Sequence, residues 1–262
     1  MSISISSLSK LSLTALCAAT LVACGGGNDD APPPPVPLSS ECAPPAKLAT
    51  ATSNYQVKYA DGSAAVRNEV LVINEPVELN GQQVVRNRAA GRSTFNAPAT
   101  MYGAMLYDNQ EEYFLWNTGG SRSYFSDVIA EKWDNIVDRV PDRRVMNTYD
   151  PAVLNQDYTP LAPGQSYDSP VNGKQLVALD DVTQEPITIL NSSTRHTYVG
   201  QEVMGVPAGN LLTCKFSRYP GDGSVTHEWV QHGTGMLVRR MSVDAKGVIL
   251  ADEQLINSTG FR

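Results

Sequence analysis

The chain reads as a mainly β protein, an antiparallel meander forming a curved sheet or half-barrel, and three observations carry that reading. Turn dipeptides recur at short intervals: Asp61-Gly62, Asn80-Gly81, Asn172-Gly173, Asp222-Gly223 and Lys246-Gly247. Asn-Gly and Asp-Gly accept the positive φ angles of tight hairpins. Between them lie runs rich in Val, Ile, Thr, Tyr and Phe, which suit a pleated, half-buried surface. The clearest run also alternates, with Leu212, Cys214 and Phe216 on one face and Thr213, Lys215 and Ser217 on the other. That is the pattern of a strand with one buried and one wet face.

The first element is an address. Lys10 precedes an apolar run that ends at Leu21-Val22-Ala23-Cys24 and gives way to Gly25-Gly26-Gly27. A charge, a short apolar run and small closing residues make a secretory signal peptide over 1–23, too short for the roughly 20 residues of a membrane span. Leu21-Val22-Ala23-Cys24 resembles the lipobox of bacterial lipoproteins. The resemblance implies a diacylglycerol thioether on Cys24, cleavage before it and acylation of the new amino terminus, with palmitate as a typical chain. Gly25 stands where that family commonly places an Asp for inner-membrane retention, so the resemblance implies the outer membrane, with a periplasmic body. The alternative is an ordinary leader cut after Ala23 that leaves Cys24 free.

Residues 24–45 read as a tether. Three glycines are followed by Pro32-Pro33-Pro34-Pro35 and by Pro44-Pro45, and such prolines favour extended polyproline II. The β-rich body then occupies 46–262. Its first strands are expected over 55–60, 66–73, 77–79 with 83–86, 101–107, 112–116 and 121–125.

One stretch departs from period 2. Ile129, Trp133, Ile136, Val137 and Val140 fall at amphipathic-helix spacing, with Ser126 or Asp127 placed to cap and Pro141 to terminate. The spacing predicts a helix over about 127–140; two short strands are the competing reading. Residues 148–173 carry Pro151, Pro160, Pro163 and Pro170 and read as a loop that wraps the body or joins two β subdomains. Strands resume over 186–190, 196–200, 202–206, 210–218, 225–231, 236–243 and 248–256. Asp222-Gly223, Gly233 to Gly235 and Lys246-Gly247 would join the last four as consecutive antiparallel neighbours.

Val199-Gly200-Gln201-Glu202-Val203-Met204-Gly205-Val206-Pro207-Ala208-Gly209, the later Leu212-Thr213-Cys214 and Gly233-Thr234-Gly235-Met236-Leu237-Val238 resemble hairpins of uncharacterised bacterial periplasmic and outer-membrane lipoprotein β domains. An architectural similarity extends to the half-barrels of lipoprotein-localisation carriers, which implies a concave sheet holding acyl chains. Pro207, Gly209, Gly233 and Gly235 are read as turn residues, since a ring-locked φ beside a free glycine makes a tight reversal. With Cys17 lost in the leader and Cys24 lipidated, Cys42 and Cys214 remain in an oxidising compartment and are expected to form a disulfide.

Charge and motifs narrow the function. The chain holds 27 acidic against 20 basic residues, a net charge of −7, with no Lys/Arg cluster. A nucleic-acid partner is therefore not expected. His227 and His232 are five apart rather than the four that places two imidazoles on one helical face, so no metal is expected there. Beyond the leader, neither a Gly-x-Ser-x-Gly elbow nor a Ser-x-x-Lys pair occurs. Gly119-Gly120-Ser121-Arg122-Ser123 lacks the lysine of a phosphate loop, and Glu111-Glu112 and Asp180-Asp181 are adjacent residues that in a strand would point to opposite faces.

The expectation is a non-catalytic envelope lipoprotein without a cofactor. Its body would bind a lipid or other apolar ligand in a concave sheet lined by Leu212, Phe216, Trp229 and Trp133. Two alternatives stay open: a scaffold contacting envelope proteins or cell wall, and a hydrolase whose carboxylates come together from distant segments.

Overall fold

Several of the turn dipeptides mark true chain reversals. Asn80 and Gly81, both at positive φ, join β2 (Ala64–Leu79) to β3 (Gln82–Ala97), and the pair Leu79–Gln82 closes the hairpin. Positive φ at both central residues is the turn whose twist matches its strands. The computed structural model describes residues 35–98, 101–134, 140–185 and 187–262. The leader, the lipobox with Cys24 and the start of the tether lie outside the described residues.

The remaining strands are β1 (Ala49–Tyr59), β4 (Met105–Trp116), β5 (Arg122–Asp134), β6 (Arg143–Asn155), β7 (Ser166–Leu179), β8 (Val182–Thr183), β9 (Thr188–Val206), β10 (Gly209–Tyr219), β11 (Val225–Gln231), β12 (Leu237–Val243) and β13 (Ile249–Ser258). Every pairing is antiparallel. β1 joins β13 on one side and β2 on the other, and β6 joins β7, so twelve strands close into a barrel. The two-residue β8 adds a short hairpin on β7. The sheet is thus neither open nor a half-barrel. Closure pairs both edges that a half-barrel would leave exposed.

The described part of the expected helix is a strand instead. Residues 122–134 are strand β5, hydrogen-bonded to β4 and β6 on its two sides, and 135–139 lie outside the described residues. A four-residue spacing fits either element, because four is both one helical turn and an even number along a strand. Ile129 and Trp133 share one face of β5, opposite Gln110 and Leu106 of β4. With β-branched residues around them and a neighbour on each side, the sheet prevails over helical periodicity.

The supposed loop 148–173 belongs largely to β6 and β7, and their pairing puts it inside one barrel wall rather than between subdomains. Its two strand prolines sit where the ladder has gaps, and Pro160 and Pro163 lie in the connection between β6 and β7. Pro151 falls in the interruption of the β5–β6 register, and Pro170 lies where β7 keeps only its β9 neighbour. Both places tolerate a missing donor. The turns at Asp222-Gly223, Gly233 to Gly235 and Lys246-Gly247 do join β10 to β13 as consecutive neighbours.

Val36–Arg262 forms one compact unit that holds all these pairings. It includes the end of the supposed tether, where Ser39–Cys42 makes a 3-10 turn. That turn is held by Ser39 N–H to the Leu161 carbonyl, by Gly233 N–H to the Glu41 carbonyl, and by a Cys42–Cys214 disulfide with a Cα separation of 6.0 Å. Gly235, at φ +67°, lies so close that an added Cβ would stand 2.5 Å from Pro44 N. Among the described residues, apolar packing gathers in three small clusters. One surrounds the disulfide with Tyr198, Phe216 and Val230; another gathers Tyr55, Met236 and Leu255; the third gathers Ala65, Phe95 and Ala104.

Candidate functional site: the barrel lumen

Period 2 sends alternate residues of each strand inward, and here many inward residues are charged. Arg67 and Glu69 of β2, Asp108 of β4, Arg218 of β10, Glu228 of β11, Arg240 of β12 and Glu253 of β13 form one chain of ion pairs. It begins at Asp157, in the β6–β7 connection, 3.1 Å from Arg218 Nη2. Arg218 reaches Glu228 at 2.9 Å, and Arg240 bridges Glu228 at 3.0 Å to Glu253 at 3.6 Å. Arg67 then approaches Glu253 at 3.8 Å, Asp108 at 2.7 Å and Glu69 at 2.9 Å. Gly91 of β3 lies between these last partners. An added Cβ there would stand 2.5 Å from Asp108 Oδ1 and 2.8 Å from Arg67 Nη2, so the missing side chain leaves room for the pair.

The network sets the charge states. Burial opposes ionisation of Asp157, yet Arg218 and His196, with Tyr167 donating to Oδ1 at 2.8 Å, hold its carboxyl well below the usual range. Glu228 is likewise buried and likewise held low, by Arg218 and Arg240. At Glu69 and Asp108 burial prevails over Arg67, and both carboxyls are pushed up.

Four members of the network, Glu69, Arg218, Glu228 and Arg240, line a cavity of about 500 Å³ together with polar side chains such as Asn87, Gln110 and Asp127 and apolar Leu71, Ile73, Ile129, Val153 and Val171. A further basic group opens on it. Arg122 of β5 is 7% exposed, and its guanidinium carbon lies 4.9 Å from the Tyr158 ring centre, 5.2 Å from Tyr124, 5.4 Å from Phe114 and 5.5 Å from Trp116. Each such contact contributes on the order of 0.5–2 kcal/mol. Burial opposes its charge, but the surrounding Tyr124, Tyr158, Glu112 and Asp157 raise its pKa further. Among the described residues its Nε has no hydrogen-bond partner.

The four residues expected to line a ligand site do not come together. Phe216 is buried against Tyr158 and Tyr198 beside the disulfide, and Leu212 is 45% exposed. Trp133 packs on Phe95 in a separate cluster. Trp229 is opposite Lys215 and Arg239, while its neighbour Glu228 faces inward, so the indole is on the outer wall. It is buried there between Lys215 and Arg239, with Nε1 donating to Glu202. The supposed wet face of β10 is also covered: Thr213 and Ser217 are buried and bonded to the Glu202 carbonyl and to His227.

Sequence reading passed over the lumen charges. Glu228-Trp229 and Arg239-Arg240 each set an inward residue beside an outward one, and composition does not say which is which. One signal was present: Glu228, Arg240 and Glu253 sit at like positions of successive predicted strands, with alternating sign, as cross-strand ion pairs do.

No family model and no curated protein matches the chain. Among solved structures, a β-barrel-like protein of a domain of unknown function from Brucella abortus aligns over 82% of this chain and 99% of its own, at 10% identity and a TM-score of 0.42. A putative lipoprotein from Parabacteroides distasonis aligns over 82% and 97%, at 10% identity and a TM-score of 0.38.

Proposed function

We propose that the protein is a non-catalytic, lipid-anchored envelope protein whose barrel binds an amphiphilic small molecule in its lumen. The supporting observation is the lumen itself: a cavity of about 500 Å³ lined by both apolar and charged side chains, within the ~300–1,000 Å³ of small-molecule sites. Anchoring rests on the leader and on Leu21-Val22-Ala23-Cys24, and several acyl chains hold stably where one does not. Membrane contact runs through the lipid, and no nucleic acid is bound. The outer membrane, with the body in the periplasm, is the proposed location. The reading moves the ligand from an open concave sheet to a closed interior.

Two measurements test it. Labelled palmitate should enter the full chain and not its Cys24→Ser variant; label in the variant would refute the anchor. The 36–262 body, which contains the whole barrel and the disulfide, should bind the neutral fluorescent probe N-phenyl-1-naphthylamine saturably. Ala89→Trp, which fills the lumen from β3, should abolish that binding. Undiminished binding in a folded Ala89→Trp protein, or none in the wild type, would refute the lumen site.

A further inference from the structure

We infer that the lumen selects an organic monocarboxylate, with the carboxylate on Arg122 and an apolar body along Leu71, Ile73, Ile129, Val153 and Val171; the inference rests on the lumen being the ligand site. Arg122 differs from the other lumen arginines. Arg67, Arg218 and Arg240 each touch at least two carboxylates, whereas the Arg122 side chain has no ion pair or hydrogen bond to any described residue and meets aromatic rings. A buried guanidinium without an acceptor costs free energy that a matching anion would recover.

The acids closest in influence are committed elsewhere. Asp157 is held by Arg218, His196, Tyr167 and Asn155. Glu112 faces the Asn87 amide at 3.5 Å. Their charges limit what can enter. One unpaired cation among standing carboxylates balances a single negative charge, so a monoanion fits better than a phosphate dianion. A guanidinium fork also matches a planar carboxylate. The rings around Arg122 leave it 7% exposed, and a low local dielectric strengthens a charge-assisted contact.

The test uses the 36–262 body, with N-phenyl-1-naphthylamine displaced by dodecanoate or by dodecan-1-ol, both below micellar concentration at pH 7.5. Dodecanoate should compete roughly tenfold or more better than the alcohol, as expected of a hydrogen bond to a charged group. Arg122→Met should remove that advantage and leave the alcohol within about twofold of its wild-type value. Equal competition in the wild type, or an advantage that survives Arg122→Met, would overturn the carboxylate assignment while leaving the lumen site standing. Failure of the probe to bind at all would overturn both. If Arg122→Met does not fold, wild-type NMR decides: dodecanoate, and not the alcohol, should shift one arginine Nε–H resonance, and no shift would refute the contact.

Discussion

A carboxylate that stays ionised in a protein interior needs cations and donors close enough to replace water, and Asp157 has both. Arg218, His196, Tyr167 and Asn155 converge on its two oxygens. Burial alone would raise its pKa, but these partners lower it, as Arg218 and Arg240 lower that of Glu228. A folded pKa below the unfolded value contributes stability that is present above the unfolded pKa, about 4, and is lost as pH falls toward the folded value. Glu69 and Asp108 have raised pKa values and the opposite sign: they lose stability as pH rises through their shifted range. Asp157→Asn should therefore cost about 3–5 kcal/mol near pH 7, because it leaves Arg218 and His196 short of a partner. The variant should also lose less stability than wild type between pH 6 and pH 3. Urea midpoints at the two pH values measure this, and equal acid losses would show that Asp157 does not carry the acid limb.

Among the elements, the β6–β7 seam matters most, because it turns a sheet into a barrel. Tyr149 stands opposite Gly173, and a Cβ at Gly173 would lie 2.0 Å from the Thr148 carbonyl oxygen. No rotamer choice relieves a clash between a Cβ and backbone. Gly173→Val should destabilise the body by about 2–4 kcal/mol and raise amide exchange in 145–149 before the β10–β13 hairpins respond. Exchange rising uniformly over the barrel would refute a local seam. Asn172-Gly173 was legible as a pair of turn residues, yet it is no turn: both residues lie within β7, opposite Asn191 and Leu190 of β9. The glycine serves close approach here, and composition alone cannot separate that role from a hairpin.

For the whole molecule, the Cys42–Cys214 disulfide spans 172 residues and holds the Ser39–Cys42 turn against the barrel. Cross-linking so long a loop stabilises chiefly by restricting the unfolded chain. The double variant Cys42→Ser, Cys214→Ser should lose about 2–5 kcal/mol in denaturant unfolding. It should keep its strand content, since every barrel strand retains two neighbours. A loss of β signal in the native baseline would show instead that the bond is needed for closure.

Local chemistry was enough to read the antiparallel β class, the reversals between β10 and β13, and the two cysteines left to pair. Each depends on a few neighbouring residues or on simple counting. The helix expected at 127–140 shows where local reading ends, because Ile129 and Trp133 satisfy both periods and only β4 and β6 on either side decide. Closure is likewise non-local, since β6 and β7 contain prolines and glycines that read as loop. Which side of a strand is inside follows from closure. In an open sheet Glu228 and Arg240 would face water and Trp229 the core; in the closed barrel the charges line the lumen and the indole lies outside between Lys215 and Arg239. Sequence therefore determined the β class and the strands and reversals of β10 to β13, while the tertiary structure decided that β5 is a strand, that β6 pairs with β7 and, at Glu228, Trp229 and Arg240, which face is inside, because a one-residue change of register exchanges the two faces.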